Sequence, residues 1–359
     1  MFLIKLLFIL KTASHNLINF LKDTINISSV YSEEVINDRL SVFRVENGNG
    51  KNRFAQDVNY GLTSFPKGLH PKYFYDELGS ELFVQICKTP EYYVTRTETS
   101  ILEKFSDEIA SLNLDKKVIV ELGSGNSIKT RHLLSSFINN SGNITYIPID
   151  VSDIIVQSSK KLLNEFEGLN IKGVVGEYEE GLGVINELVE TPKMILFLGS
   201  SIGNFTKYEA RELLACISSV MNENDTFLIG FDLVKDINVL NAAYDDSACV
   251  TARFNVNILR RINTELGGNF DLNKFEHKAF FNADFSRVEM HLESLEEQDV
   301  YIKDIEEAIH FEEGETIHTE NSYKFTDEMI SELASSAGLT VNKTWKDSKN
   351  YFGLCLMKK

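Results

Sequence analysis

The segment VIVELGSGNSIKTR (118–131) carries the clearest chemistry in the chain. An apolar run leads into Glu121, then Gly123 and Gly125, then a helix-start pattern with Ser127 as the expected N-cap. A buried strand ending in such a turn lets a ligand press against bare backbone, and the helix N-terminus offers unpaired N–H donors. The next strand, ITYIPID (144–150), ends on Asp150, a carboxylate suited to ribose hydroxyls. Two successive strands ending this way suit an adenosine cofactor at the carboxyl edge of a parallel sheet. A dinucleotide site is the poorer reading, because Ile128 stands where a third glycine is required.

These residues need a sheet to position them. The apolar runs predict strands over 118–122, 144–150, 172–175, 194–198 and 226–231, with helices over 128–138, 153–166 and 207–220. A helix over 100–113 precedes them, with Ile101, Leu102, Phe105, Ile109 and Leu112 on one face. Runs such as MILFL (194–198) imply strands covered on both faces, hence an α/β, doubly wound and mostly parallel sheet. The pattern turns helical again from Val239 to about Arg260 and alternates as strands beyond Phe280. The last two segments, LTVNKTW (339–345) and YFGLCLMKK (351–359), suit an antiparallel edge.

Composition narrows the partners. Fifty-three acidic against 36 basic side chains give a net charge of −17, which argues against nucleic acid. Cys87, Cys216, Cys249 and Cys355 are scattered, as expected of a cytoplasmic protein without structural zinc. His132, His277, His291, His310 and His318 show no ligand spacing, so no metal is expected. The opening MFLIKLLFILK (1–11) has a signal-like apolar core, but Lys5 interrupts it and no small-residue cleavage site follows. It is too short to span a bilayer, and residues 1 to about 30 read as an amphipathic extension or an over-long start.

Beyond these patterns, seven segments carry a resemblance: PKYFYDELGSELF (71–83), PEYYVTRTE (90–98), ELGSGNSIKTR (121–131), LFLGSSIGNF (196–205), DLVKDINVLNAAYDD (232–246), TARFNVNILRRINTELGGNFD (251–271) and TENSYKF (319–325). In this order they resemble the histidine-specific, S-adenosylmethionine-dependent N-methyltransferases that form hercynine, the first step of ergothioneine synthesis. The resemblance implies a Rossmann-like class I methyltransferase sheet and a second, substrate-binding domain. It implies an N-terminal extension (1–40), a first part of the substrate domain (41–100), a methyltransferase domain (101–238), a substrate-domain insertion (239–325), and a final helix and strands (326–359). By the same resemblance Gly123, Lys129 and Asp150 contact S-adenosylmethionine, and Glu177 and Tyr178 lie at its adenine. Asn204 would hold the α-amino group of L-histidine, with Tyr92, Tyr244 and, nearby, Tyr75 around the zwitterion. Glu320 and Ser322 would read the imidazole, with Asn321 between them, Met290 lining the ring and Gly199 opening the loop. A monomer is expected.

Each of these residues also has a plainer reading. Lys129 suits a solvated helix charge, Asn204 a cap for the helix near Thr206, and the tyrosines a core with wet tips. Glu320 alone would be an exposed strand charge. Two other functions compete: methylation of a prenylated tryptophan, which would lack an imidazole-reading carboxylate at Glu320, and a catalytically inert cofactor-binding interaction protein.

Overall fold

A computed structural model describes residues 31–45, 50–190 and 192–359, so the expected amphipathic extension lies outside the described residues. The chain opens with a hairpin, β1 (Tyr31–Asn37) and β2 (Leu40–Val45), followed by α1 (Gly50–Thr63), α2 (Glu77–Ile86) and α3 (Val94–Ser111). A strand–helix alternation follows: β3 (Val118–Leu122), α4 (Thr130–Ser141), β4 (Ile144–Asp150), α5 (Ile154–Glu165), β5 (Leu169–Val175), α6 (Tyr178–Leu188), β6 (Lys193–Phe197), α7 (Lys207–Val220) and β7 (Thr226–Asp232). Then come α8 (Ile237–Tyr244), α9 (Val250–Leu266) and five antiparallel strands: β8 (Phe275–Asn282), β9 (Arg287–Ser294), β10 (Gln298–Ile302), β11 (Glu307–Phe311) and β12 (Thr316–Tyr323). The chain closes with α10 (Asp327–Ser336), β13 (Thr340–Lys346) and β14 (Phe352–Lys358).

Nine strands form one sheet in the order β1-β2-β5-β4-β3-β6-β7-β14-β13. The pairs from β2 to β7 are parallel, and β14 closes antiparallel on β7. Alternate residues feed two cores: Ile119, Leu196 and Leu228 on one face, Val120, Ile195 and Ile229 on the other. Burial of this kind contributes roughly 1.5–3 kcal/mol for each such side chain. A three-stranded sheet, β12-β9-β8, and the hairpin β10–β11 stand apart from it.

Three local expectations change. The sheet extends through β2, whose Val42 and Phe43 enter opposite cores, so a boundary at residue 41 cuts through a strand of the main sheet. The helix expected from residue 100 starts at Val94, because Val94 and Glu98 continue the buried stripe of Ile101 and Leu102. Ser127 is not the cap of α4. It sits in the left-handed region (φ 53°), its N–H bonds to Ser124 O, and its hydroxyl pairs with Tyr146 at 3.0 Å. The loop therefore makes one more turn after Gly125 before the helix begins.

Candidate active site

At the carboxyl edge of β3, Gly123 adopts φ 66° and Gly125 φ 50°, conformations that favour glycine. A Cβ on Gly123 would lie 2.9 Å from the Tyr178 hydroxyl. The turn thus packs on the Tyr178 hydroxyl at Gly123 and offers an open cradle at Gly125, where no atom would lie within 4 Å of a Cβ. Asp150, at the end of β4, accepts from Gly125 N at 2.9 Å and from Ser152 N at 3.0 Å, which fixes its carboxylate beside the turn. Tyr178 opens α6 and is wedged edge-on against Phe197 at 5.4 Å. Glu177 caps that helix in a reciprocal box with Glu180 and is held by Arg53 at 3.1 Å and Lys72 at 3.5 Å. An adenosine-bearing cofactor fits this cradle: bare backbone below, an aromatic wall beside it, and a fixed carboxylate at the next strand end.

Lys129 does not project into solvent. It pairs with Glu98, which is fully buried and also accepts Gly199 N–H at 2.8 and 2.9 Å. Glu98 thereby ties the glycine turn after β3 to the turn after β6. That second turn is tight: Gly199 has φ 84° and Ser200 φ 57°. It continues into a 3-10 turn, Ser201–Asn204. Thr206, with Glu209, caps α7, so Asn204 is not a cap. Asn204 is half-buried and its amide has no hydrogen-bond partner among the described residues. A Cβ on Gly203 would lie 3.0 Å from Tyr323 O, so this turn packs directly against β12.

On β12 a register shift between His318 and Glu320 inserts Thr319, whose hydroxyl is buried against Asn255 at 2.7 Å and Met290 O at 3.1 Å. Such a bulge re-aims the residues that follow it. Glu320 pairs across to Met290, and its carboxylate has no hydrogen-bond partner among the described residues. Burial pushes its pKa up to about 7, against the opposing pull of Lys324. Ser322 Oγ lies 2.6 Å from the Tyr244 hydroxyl. Asn321 is turned the other way, opposite Glu289, with a buried carbonyl that has no partner among the described residues.

An aromatic wall joins the two halves. Tyr75 contacts Phe83 at 5.6 Å, Phe83 contacts Tyr92 at 6.2 Å, and Tyr92 contacts Tyr244 at 6.3 Å, each edge-on. Burial, then Glu320, then Tyr178 hold the Tyr75 phenol well above its ordinary pKa. Tyr75 is therefore within electrostatic reach of both Tyr178, beside the glycine turn, and Glu320 on β12. His277 braces this wall. It accepts from Asn255 at Nδ1 (2.8 Å) and donates from Nε2 to Tyr244 O (2.9 Å), and burial lowers its pKa.

Comparison with known proteins decides the family. The model of a family described as histidine-specific methyltransferase, SAM-dependent, matches residues 54–359. The chain belongs to this family. It is 42% identical over 303 residues to the histidine N-alpha-methyltransferase of Mycolicibacterium smegmatis, covering 84% of this chain and 93% of that protein. It is 40% identical to the Mycobacterium tuberculosis protein of the same name over 309 residues, 85% of this chain and 94% of that one. Ergothioneine biosynthesis protein 1 of Schizosaccharomyces pombe is 31% identical over 264 residues, 71% of this chain and 34% of its own length.

Sequence reasoning missed two groups in this methyltransferase. One is Glu98, whose signal was a lone acid on the apolar stripe of α3. The other is a buried ionic cluster in which Asp232 pairs with Lys235 and, at 2.8 Å, with Lys324, while Tyr93 donates to it at 2.8 Å. His291 and His318, which show no ligand spacing in the sequence, stand directly opposite across β9 and β12 and stack at 4.7 Å beside Glu289. Glu289 pairs with Arg287 at 2.7 Å and lies 3.1 Å from His291 Nε2, and one ligand-capable atom from each of Glu289, His291 and His318 lies within 4.8 Å of the others.

Glu98→Gln tests the first group. Loss of the charge leaves Lys129 without its buried partner, and kcat/KM is expected to fall about 10-fold, with a lower Tm. Steady-state kinetics and a thermal melt check this; unchanged values for both would contradict the tie.

Proposed function

We propose that this methyltransferase transfers methyl groups from S-adenosylmethionine to the α-amino nitrogen of L-histidine, giving the Nα-trimethylated product hercynine. The observation that carries the reading is Glu320, a half-buried carboxylate with no hydrogen-bond partner among the described residues, aimed by the Thr319 bulge beside Ser322 and within electrostatic reach of Tyr75. A carboxylate there accepts a ring N–H, and a site built for that bond disfavours side chains that leave it unpaired.

When bound, the cofactor supplies an electrophilic sulfonium methyl. The chain's own residues do the positioning. Gly123, Asp150, Glu177 and Tyr178 hold the nucleoside, with Lys129 bracing the turn through Glu98. Asn204, next to Gly199 on the turn after β6, offers its amide to the α-amine. Tyr92 and Tyr244 face the zwitterion, Met290 packs under the ring, and Tyr75 completes the surround, while Asn321, on the opposite face of β12, stays outside it. Before each of the three transfers the α-ammonium would shed one proton to water, so that Asn204 could present a neutral amine lone pair to the methyl group the cofactor would supply; the third transfer would leave a quaternary ammonium with no proton to lose. Aromatic faces along Tyr75, Phe83 and Tyr92 suit the growing quaternary ammonium. In this reading residues 46–100 and 239–325 form the substrate-binding part, and the enzyme works as a cytoplasmic monomer. No helix among the described residues is long and apolar enough to cross a membrane.

Incubation with S-adenosylmethionine and each amino acid in turn tests the proposal. Methylation of histidine is expected; methylated tryptophan with untouched histidine would end it.

The same carboxylate has a cost in the free enzyme. Its pKa of about 7 lies above the ordinary value of 4.5. A raised acid pKa contributes stability that is full below pH 4.5 and is lost as pH rises through about 7. Glu320→Gln removes the buried charge, so free enzyme carrying it melts higher than wild type at pH 8, by roughly 1–2 kcal/mol after allowance for partial exposure. At pH 4 the two melt together. A gap of equal size at both pH values would contradict this.

A further inference from the structure

The three-stranded sheet carries a second cluster, on the face turned away from the substrate pocket. Residues directly opposite in an antiparallel pair share a face, and neighbours along a strand alternate. β9 and β12 pair Met290 with Glu320 on the substrate side. On the reverse side they pair His291 with His318 and Glu289 with Asn321, the Thr319 bulge placing Asn321 rather than Glu320 opposite Glu289. Glu289 is buried and the two histidines are half-buried. One ligand-capable atom from each of these three residues lies within 4.8 Å of the other two. Glu289 Oε2 and His291 Nε2 stand 3.1 Å apart, against about 3.4 Å for two ligands of a tetrahedral zinc ion. The other oxygen, Oε1, accepts from Arg287 at 2.7 Å and from Asn282 at 3.0 Å, which leaves Oε2 to the rings. His318 donates its Nε2–H to Glu320 O at 3.0 Å, so its Nδ1 keeps a lone pair. A backbone carbonyl on the second nitrogen is the usual anchor of a metal-binding imidazole. Two buried atoms of the cluster, His291 Nδ1 and Asn321 Oδ1, have no partner among the described residues. Such orphaned acceptors call for an ion or a donor.

We infer that Glu289, His291 and His318, with Asn321 Oδ1 in the fourth position, form a zinc site that ties β9 to β12 behind the substrate pocket. Two imidazoles and one carboxylate suit zinc, whereas magnesium and calcium favour shells of oxygen alone. The rings stack at 4.7 Å with 18° between their planes, and Phe280 covers the far side of His291 at 5.5 Å. Near-parallel rings cannot both aim a lone pair at one ion, so binding turns the His318 ring out of the stack while Phe280 holds His291. Arg287 sets a guanidinium beside the carboxylate, and Lys278, opposite His291, is paired with Glu293. The Arg287 charge opposes a cation, so the affinity is micromolar rather than that of a thiolate site. The ion takes no part in methyl transfer, because Met290 and Glu320 face the other way.

Zinc titrated into the chelator-treated, tag-free chain against a chromophoric competitor tests this. Free histidine is left out, since it binds zinc itself. One zinc per chain with a micromolar Kd is expected, and the bound ion raises the Tm. His291→Ala and His318→Ala each weaken binding about 10- to 100-fold, whereas His310→Ala, on the exposed β10–β11 hairpin, leaves it unchanged. Cobalt(II) in place of zinc gives the visible absorption of a four-coordinate ion. A folded wild type that takes up no zinc at micromolar concentration overturns the inference and needs no variant. Full-strength binding by a folded His318→Ala chain also overturns it, because the ion then sits elsewhere. If neither alanine variant folds, protection of His291 and His318 from diethyl pyrocarbonate by zinc, read by peptide mass spectrometry on the wild type, decides the question. Rings modified equally with and without zinc overturn the site.

Discussion

Glu320→Ala raises the KM for histidine about 100-fold or more and leaves the Kd for S-adenosylmethionine within about twofold. The size follows from what the side chain faces. Glu320 has no hydrogen-bond partner among the described residues, so its carboxylate is available to the proposed histidine ring. Truncation leaves a bound ring N–H unsatisfied in a pocket walled by Tyr75, Tyr92 and Tyr244, which costs about 1–3 kcal/mol for the desolvated donor and more when the acceptor was charged. The cofactor half is spared because the Gly123 turn, Asp150 and Tyr178 belong to β3, β4 and α6, which hold their shape through the main sheet. Kinetics with histidine and calorimetry with the cofactor separate the two. Equal losses in both would contradict the division of labour.

Asp150→Ala gives the reverse pattern: cofactor affinity falls about 10- to 100-fold while the KM for histidine moves little. Two effects add. The ribose loses its charged acceptor, and the turn loses the bonds from Gly125 N and Ser152 N that the carboxylate accepts. The second effect is local, since Gly123 N remains bonded to Ile149 O at 2.8 Å. Unchanged cofactor affinity would remove Asp150 from the site.

The parts of the molecule that were legible share one property: their signal is local. VIVEL and ITYIPID announce buried strands because both faces are covered, and β3 and β4 lie within a residue of the expected bounds. The antiparallel close of β13 and β14 was legible for the same reason. What escaped depends on partners distant in sequence. β1 and β2 show no clear period, because the edge strand β1 carries Glu33 and Glu34 on an exposed surface and its pairing is set by β5 beyond β2. His291 and His318 are neighbours through strand register, which ligand-spacing rules do not see. Lys324 drew no reading from the sequence, yet Glu320, Ser322 and Lys324 repeat at every second residue, the interval that puts polar side chains on one face. Their purpose shows only with Asp232 and Tyr244 beside them. The roles read through the resemblance, such as that of Asn204, were not written in any local pattern.

A crystal structure of the enzyme with S-adenosylhomocysteine and histidine bound together tests the central claim most directly. The account predicts the imidazole between Glu320 and Ser322, with the α-nitrogen at Asn204 and in line with the cofactor sulfur. Histidine bound elsewhere, with Glu320 and Asn204 opening into separate cavities, would contradict it.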